Sequence, residues 1–125
     1  MSDDTSYIVV GFTDPDQILA GFDRLTALAE SGPLRIADVE FIHSIQGIPS
    51  TVPASRVDPA LAGYDAADAR LLGQSALDAV ADAIPVGSMA AVVLYAGAPV
   101  LPALAEWSRD GATVVREGDA NTLLA

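Results

Sequence analysis

Long runs of apolar residues mark two buried strands in this chain. Residues 7–12 (YIVVGF) and 88–96 (SMAAVVLYA) are rich in β-branched and aromatic side chains, which favour strands. Neither run alternates with polar residues, as a strand with one face in water would. We therefore expect something to cover both faces of the sheet. A third run, ATVVRE at 112–117, predicts a last strand.

Apolar residues at helical spacing follow the first strand and recur before the last one. Asp14, Pro15 and Gln17 combine the spacing of a capping box with proline at the first helical position, so they predict a helix start. That helix should end at Gly32, since glycine is the usual residue just after a helix. Residues 99–109 predict a second helix of this kind.

The segment LRIADVEFIHSI (residues 34–45) predicts a strand whose apolar phase changes in the middle. In a regular strand, its first two core residues would face opposite to the last two. A β-bulge near Ala37 and Asp38 would supply a one-residue slip and bring all of them to the buried side. Asp38 would then lie at the irregular position and accept main-chain hydrogen bonds. These core residues are Leu34, Ile36, Val39 and Phe41.

Two strand–helix–strand units follow one another and resemble each other weakly. This order favours a single α+β domain over residues 1–125, a ferredoxin-like sandwich with helices packed on a four-stranded sheet. A helical insertion separates the second strand from the third. Residues 46–58, with two prolines and a glycine, predict an irregular segment, and residues 59–83 predict a short helix followed by a longer one. The direction of the third strand relative to the second stays open.

Three segments together resemble an uncharacterised family of small actinobacterial proteins, known only as a domain of unknown function. They are PLRIADVEFI, IPVGSMAAVVLY and LAEWSRDGATVV. The resemblance spans most of the chain and implies a shared fold and a bacterial cytoplasmic setting, with no established activity. Many members carry an acidic residue and a tryptophan soon after the third strand, where this chain has Ala96 and Pro99. A function that rests on that pair is therefore not implied here.

The charge of the chain narrows the classes of partner. Seventeen acidic and six basic residues give a formal net charge of −11, and all the basic residues are arginine. Such a field repels nucleic-acid phosphates and anionic membrane surfaces, and the arginines do not cluster, so we expect neither as a partner. An acidic, lysine-free composition fits either salt adaptation or the codon usage of a GC-rich genome, and we favour the second.

The chain contains no cysteine, which excludes disulfides, thiol nucleophiles and metal sites built on cysteine. Its first residues, MSDDTSYIVV, are acidic where a signal peptide is basic. No apolar run approaches the roughly 18 residues of a membrane span. We therefore expect a cytoplasmic protein.

No segment carries a recognisable catalytic, cofactor-binding or metal-binding motif, so we assign no residue to these roles. The single histidine, His43, precedes Ser44 on a predicted strand, and the two side chains should point to opposite faces, a poor arrangement for a base and its nucleophile. Asp38 and Glu40 are candidates for acid–base chemistry, although the bulge could separate their faces. The acidic stretches TDPDQ and DAADA lack the spacing of a calcium loop and predict helix starts.

Aromatic residues are few, so each one is a candidate for recognition. Trp107 and Tyr95 could belong to a pocket or an interface, or both could lie in the core, which an amphipathic helix favours for Trp107. Tyr64, beside Gly63 in the insertion, is the best candidate for a partly exposed recognition residue.

The functional expectation is a non-enzymatic association or regulatory module that forms a homodimer. A sheet with helices on one face leaves its other face open, and an apolar face of this kind invites a second subunit. The inserted helices of residues 59–83 could instead cover it within one chain. The alternative function is a small-molecule binder or cofactor-free enzyme, with a pocket between sheet and helices and His43 as its polar group.

Overall fold

A computed structural model describes residues 5–32, 34–97 and 100–124. No helix in this part of the chain is long and apolar enough to cross a bilayer. The strands are β1 (Ser6–Phe12), β2 (Leu34–Ile45), β3 (Ile48–Val52), β4 (Met89–Gly97) and β5 (Thr113–Asp119). The helices are α1 (Leu19–Glu30), α2 (Ala54–Val57), α3 (Gln74–Ala83), α4 (Leu101–Arg109) and α5 (Ala120–Leu124), with 3₁₀ segments at Pro15–Gln17 and Pro59–Ala67.

Within the described residues the strands form one five-stranded antiparallel sheet in the order β3-β2-β4-β1-β5. The α+β class is therefore confirmed, and the open question of direction is answered because β4 runs antiparallel to β2. The sheet has one strand more than the four expected.

The additional strand, β3, lies in the segment that we expected to be irregular. A tight turn at Gln46 and Gly47, with φ of 53° and 80°, reverses the chain and pairs β3 with the end of β2. Pro49 is tolerated because β3 is an edge strand, where a missing N–H costs no interior ladder bond. Pro49 thus occupies a position that an edge strand permits, and Pro53, the other proline of the segment, follows the strand and precedes α2.

The predicted bulge in β2 is present. Ile36 pairs with Tyr95 and Asp38 pairs with Leu94, so Ala37 is the extra residue. The slip puts the core residues on either side of it against one hydrophobic cluster, as the sequence required. The strand therefore keeps its pairing with β4 while changing its apolar phase.

Helices cover both faces of the sheet. The helices α1 and α4 pack on one face, and α3 and α5 pack on the other. On the second face Val9, Ile42 and Leu94 are buried, so the open apolar face expected from the sequence is not there. The alanine-rich insertion covers this face because its residues are small. Ala76 and Val80 let α3 approach the sheet closely, and the larger apolar side chains of the cluster come from the sheet.

The first helical turn shows the predicted capping box. The Asp14 carboxylate accepts a hydrogen bond from the N–H of Asp16 at 3.0 Å, and the Gln17 side-chain oxygen accepts one from the N–H of Asp14 at 3.2 Å. The box closes a 3₁₀ turn, and α1 begins only at Leu19. The capping-box residues predicted the start of the helical segment correctly, but they did not indicate that its first turn is a 3₁₀ turn.

Trp107 fixes the contact between α1 and α4. Its side chain is 0% exposed, and its indole N–H donates to the carbonyl oxygen of Ile18 at 3.1 Å. Its ring meets Phe22 edge-on, with the ring centroids 5.3 Å apart. Gly21 allows this approach, because a Cβ placed there would lie 2.2 Å from the indole nitrogen. The expected core position of Trp107 is confirmed.

Gly21→Ala should therefore destabilise the protein by about 1–3 kcal/mol, because the added methyl group overlaps a buried ring that has no space to move. Alanine's better helix propensity, worth about 1 kcal/mol, offsets only part of this loss. Urea denaturation measures the difference. Gly63→Ala is the control, since a Cβ at Gly63 would meet nothing within 4 Å. Equal stability of the two variants would contradict the role assigned to Gly21.

Candidate functional site

Three carboxylates meet where the insertion crosses β2. Asp38 and Glu40 come from β2, Asp68 follows the second 3₁₀ segment, and each offers an oxygen within 4.8 Å of the others. Asp38 is 0% exposed and Glu40 is 4% exposed. The concern that the bulge would separate their faces is wrong, because the extra residue precedes Asp38 and the alternation from Asp38 to Glu40 is regular.

The two buried carboxylates hold the insertion through its backbone. Asp38 accepts hydrogen bonds from the N–H groups of Ala69 and Leu71 at 2.7 and 3.2 Å, and Glu40 accepts one from the N–H of Leu72 at 3.0 Å. We expected Asp38 to accept main-chain hydrogen bonds, and it does. The donors, however, belong to a segment more than thirty residues away, not to the strand ladder.

The two carboxyl groups share a proton. The pKa of Glu40 is raised from its ordinary 4.5 to about 8, chiefly by burial and also by the hydrogen bond to Asp38 and the charges of Asp38 and Asp68, while the Leu72 N–H opposes the rise. Glu40 is therefore protonated at neutral pH and donates to Asp38. This arrangement leaves one negative charge on the buried pair instead of two.

This cluster has two chemical capacities. Carboxylate oxygens suit a hard divalent cation, but four of the six oxygens of these three residues already accept main-chain N–H groups. Glu40 also faces a cavity of about 220 Å³, where a carboxyl group that titrates near neutrality could exchange a proton. Asp68 and Arg70 line the same cavity. The backbone contacts explain the cluster without an ion, and its first role is structural.

A larger cavity of about 480 Å³ lies on the opposite face, between α1, β2 and the second 3₁₀ segment. Its floor and walls are mostly apolar, and Phe22 and Leu61 in them are buried. Its rim carries the exposed residues Asp23, Glu30 and Gly63. The remaining lining residues are Thr26, Ala29, Ile36, Ala60, Tyr64 and Ala67.

Tyr64 is fixed in the wall of this cavity by both its ring and its hydroxyl group. The hydroxyl oxygen lies 2.6 Å from the Thr26 hydroxyl and 3.0 Å from the carbonyl oxygen of Phe22. The Tyr64 and Phe22 rings meet edge-on with centroids 5.0 Å apart. Burial raises the pKa of the Tyr64 hydroxyl, and the negative charges of Asp23 and Glu30 raise it further. The predicted half-exposed position of Tyr64 is confirmed.

The other candidate residues lie apart from this cavity. His43 is half-buried in β2 opposite Ser50 and Met89, and Ser44 points to the other face, as predicted. The Ser44 hydroxyl is buried and has no hydrogen-bond partner among the described residues. The two therefore do not form a base and nucleophile.

Sequence reasoning missed the helical side of the cavity. Asp23, Thr26 and Glu30 are three, then four, residues apart on α1, so they share one stripe of the helix. Asp23 and Glu30 are both exposed, as acidic residues on an amphipathic helix usually are. Thr26 could have indicated the cavity, because it is a polar residue on the inner half of an amphipathic helix. Its partner, however, is Tyr64, which lies 38 residues away in the sequence.

Comparison of the chain with protein-family models, curated proteins and solved structures gives no match. The resemblance to an actinobacterial family therefore stays a prediction.

Amide substitution should affect the stability of the protein differently at the two buried carboxyl groups. Asp38→Asn should cost about 1–3 kcal/mol, because both carboxylate oxygens accept N–H groups and an amide NH₂ would face one of those donors. Glu40→Gln should cost little at pH 6, since its carbonyl can accept from Leu72 and its NH₂ can donate to Asp38 as the protonated acid does. Urea denaturation of the two variants tests this asymmetry.

The same pair predicts how stability depends on pH. Between pH 4.5 and about 8 the folded state holds a proton on Glu40 that the unfolded state has lost, so the free energy of unfolding should fall as pH rises through this window. Glu40→Gln removes this contribution, and its stability relative to the wild type should increase from pH 5 to about pH 8 and level off above that pH. Parallel pH profiles for the two proteins would rule out a shared proton.

Proposed function

We infer that this protein binds a small molecule in the 480 Å³ cavity between α1, β2 and the second 3₁₀ segment. This volume lies within the range of ligand sites, about 300–1,000 Å³. The cavity is the observation that carries the proposal. Three other cavities among the described residues measure about 320, 280 and 220 Å³, and none of the three is lined by a tyrosine.

Its construction supports binding rather than incidental imperfect packing. A packing defect in a core is closed and apolar, whereas this cavity has an exposed rim and one ordered polar group. Tyr64 is held by contacts to Thr26 and Phe22, so its ring needs no ordering when a ligand arrives. The site is therefore preorganised on elements of the sheet and helix layers.

The location agrees with the alternative function expected from the sequence, a pocket between sheet and helices, but not with its polar group. His43 does not line this cavity, and the hydroxyl of Tyr64 takes that place. The order β2-β4-β1-β5 supports a ferredoxin-like arrangement extended by β3. Binding without catalysis is the proposed activity, because the cavity lining offers no activated nucleophile or paired acid and base.

Filling the cavity should weaken binding of a neutral probe. Ala29 lines the cavity, whereas Ala27 is exposed on the same helix and does not. With benzyl alcohol as the probe, Ala29→Leu should weaken binding by about tenfold or more, or about 1.4 kcal/mol. Ala27→Leu should bind like the wild type. Amide chemical shifts in an NMR titration report both the affinity and the location.

Wild-type shifts should concentrate at Ile36, Leu61 and Tyr64. A titration that leaves these residues unmoved at millimolar probe would refute a ligand site here. Equal weakening by both leucine variants would show that the shifts report a general effect of substitution on α1.

Association is the second candidate function, and one end of the molecule favours it. Ile45 and Ile48 flank the turn between β2 and β3 and are 51% and 67% exposed, and Val86 is 69% exposed. The N–H of Gly87 donates to the carbonyl oxygen of Ser44 at 2.7 Å, which brings Val86 to the same end. The outer edge of β3 continues this patch, and edge strands pair readily with a second copy of themselves.

The homodimer is a proposal that light scattering can test. Two copies with a net charge of −11 repel each other, so association should strengthen as salt is added. Ile48→Glu should prevent it, whereas Leu71→Glu, at an exposed apolar residue beside the carboxylate cluster, should not. A strict monomer at high micromolar concentration and high salt would refute this function and leave ligand binding unaffected.

A further inference from the structure

We propose that the ligand of this cavity is a small organic cation, an amine with an apolar or aromatic body. The inference rests on the proposed function, since it names the chemical class that the same cavity selects. It follows from three features of the lining: the charges of its rim, the rings of its wall and the depth at which each lies.

The rim is negative and carries no compensating charge. Asp23 and Glu30 lie on one stripe of α1 at the mouth of the cavity, and no arginine is among the described residues that line it. The ion pair found in the described part of the chain joins Arg109 to Glu106 on α4, so neither rim carboxylate is engaged in one. A cation at the mouth would therefore meet two free carboxylates, while an anion would be repelled.

The wall suits a cation as well as an apolar body. Aromatic faces attract ammonium groups within about 6 Å of the ring centroid, and the half-buried Tyr64 lines the cavity. Because its hydroxyl is already bound to Thr26 and Phe22, Tyr64 is not held ready to donate to an anionic ligand. Below it, Phe22, Leu61 and Ile36 provide apolar surface only.

The depth of these groups sets the orientation of the ligand. Phe22 and Leu61 are buried, Tyr64 is half-buried, and Asp23 and Glu30 are exposed. The apolar part of the ligand would therefore lie against α1 and β2, with the ammonium group beside Tyr64 and the rim. Both rim carboxylates act on the Tyr64 hydroxyl, whose pKa they raise, so their field reaches the cavity wall.

Three probes of nearly equal shape test the charge preference: benzylamine, benzyl alcohol and benzoate. At low salt, benzylamine should bind on the order of fivefold more tightly than benzyl alcohol, and benzoate more weakly than both. The double variant Asp23→Asn, Glu30→Gln should lose the preference for benzylamine while binding benzyl alcohol as before. The double variant Asp78→Asn, Asp82→Asn, which removes the same two charges at exposed positions of α3, is the control and should keep the preference.

The outcomes separate this inference from the proposed function. Binding of all three probes with equal affinity, or a preference that survives the double variant, would overturn the cationic ligand and leave a neutral-ligand site. Failure of every probe to shift the cavity residues would overturn the site itself. A preference that falls equally in the control double variant Asp78→Asn, Asp82→Asn would assign the preference to the overall charge of the chain, which also overturns the inference.

Discussion

The hydrogen bonds from residues 69–72 to Asp38 and Glu40 are the constraint on which the rest of this structure depends. β3 pairs only with the last part of β2, from Phe41 onward, so the first part of β2 is left beside the route of the insertion. The chain passes there from one face of the sheet to the other. Two buried carboxyl groups accept hydrogen bonds from its N–H groups at the crossing.

The segments before and after this crossing lie on opposite faces of the sheet. Before it, the 3₁₀ segment Pro59–Ala67 packs against α1 and forms one wall of the larger cavity. After it, α3 lies on the opposite face and removes that face from solvent. The hydrogen bonds to Asp38 and Glu40 therefore help to position both the wall of the candidate ligand site and the helix that covers the opposite face of the sheet. The shared proton makes this possible, because two ionised carboxylates at this depth would repel each other.

Close packing between α1 and α4 also helps to position the wall of the larger cavity. The contact of Trp107 with Gly21 holds α4 against α1, and the ring of Phe22 then stands between Trp107 and Tyr64. An aromatic series thus runs from the buried core to the cavity wall. The hydroxyl of Tyr64 ends the series, and the rim carboxylates lie beyond it. The cavity is consequently a continuation of the core that opens to solvent.

The sequence by itself determined what depends on local periodicity and on apolar surface. It predicted the strands at residues 7–12 and 88–96, the capping box at Asp14, and the bulge beside Asp38, because each follows from side chains close together along the chain. It could not place β3, since pairing at an edge depends on a partner strand, nor foresee that alanine-rich α3 covers a face, since small residues pack well only where a helix comes close. The donors to Asp38, the proton shared with Glu40, and the meeting of Thr26 with Tyr64 join residues distant in sequence. Only the tertiary structure decides these, because no local pattern records which backbone will cross a buried carboxylate or which helix will face a ring.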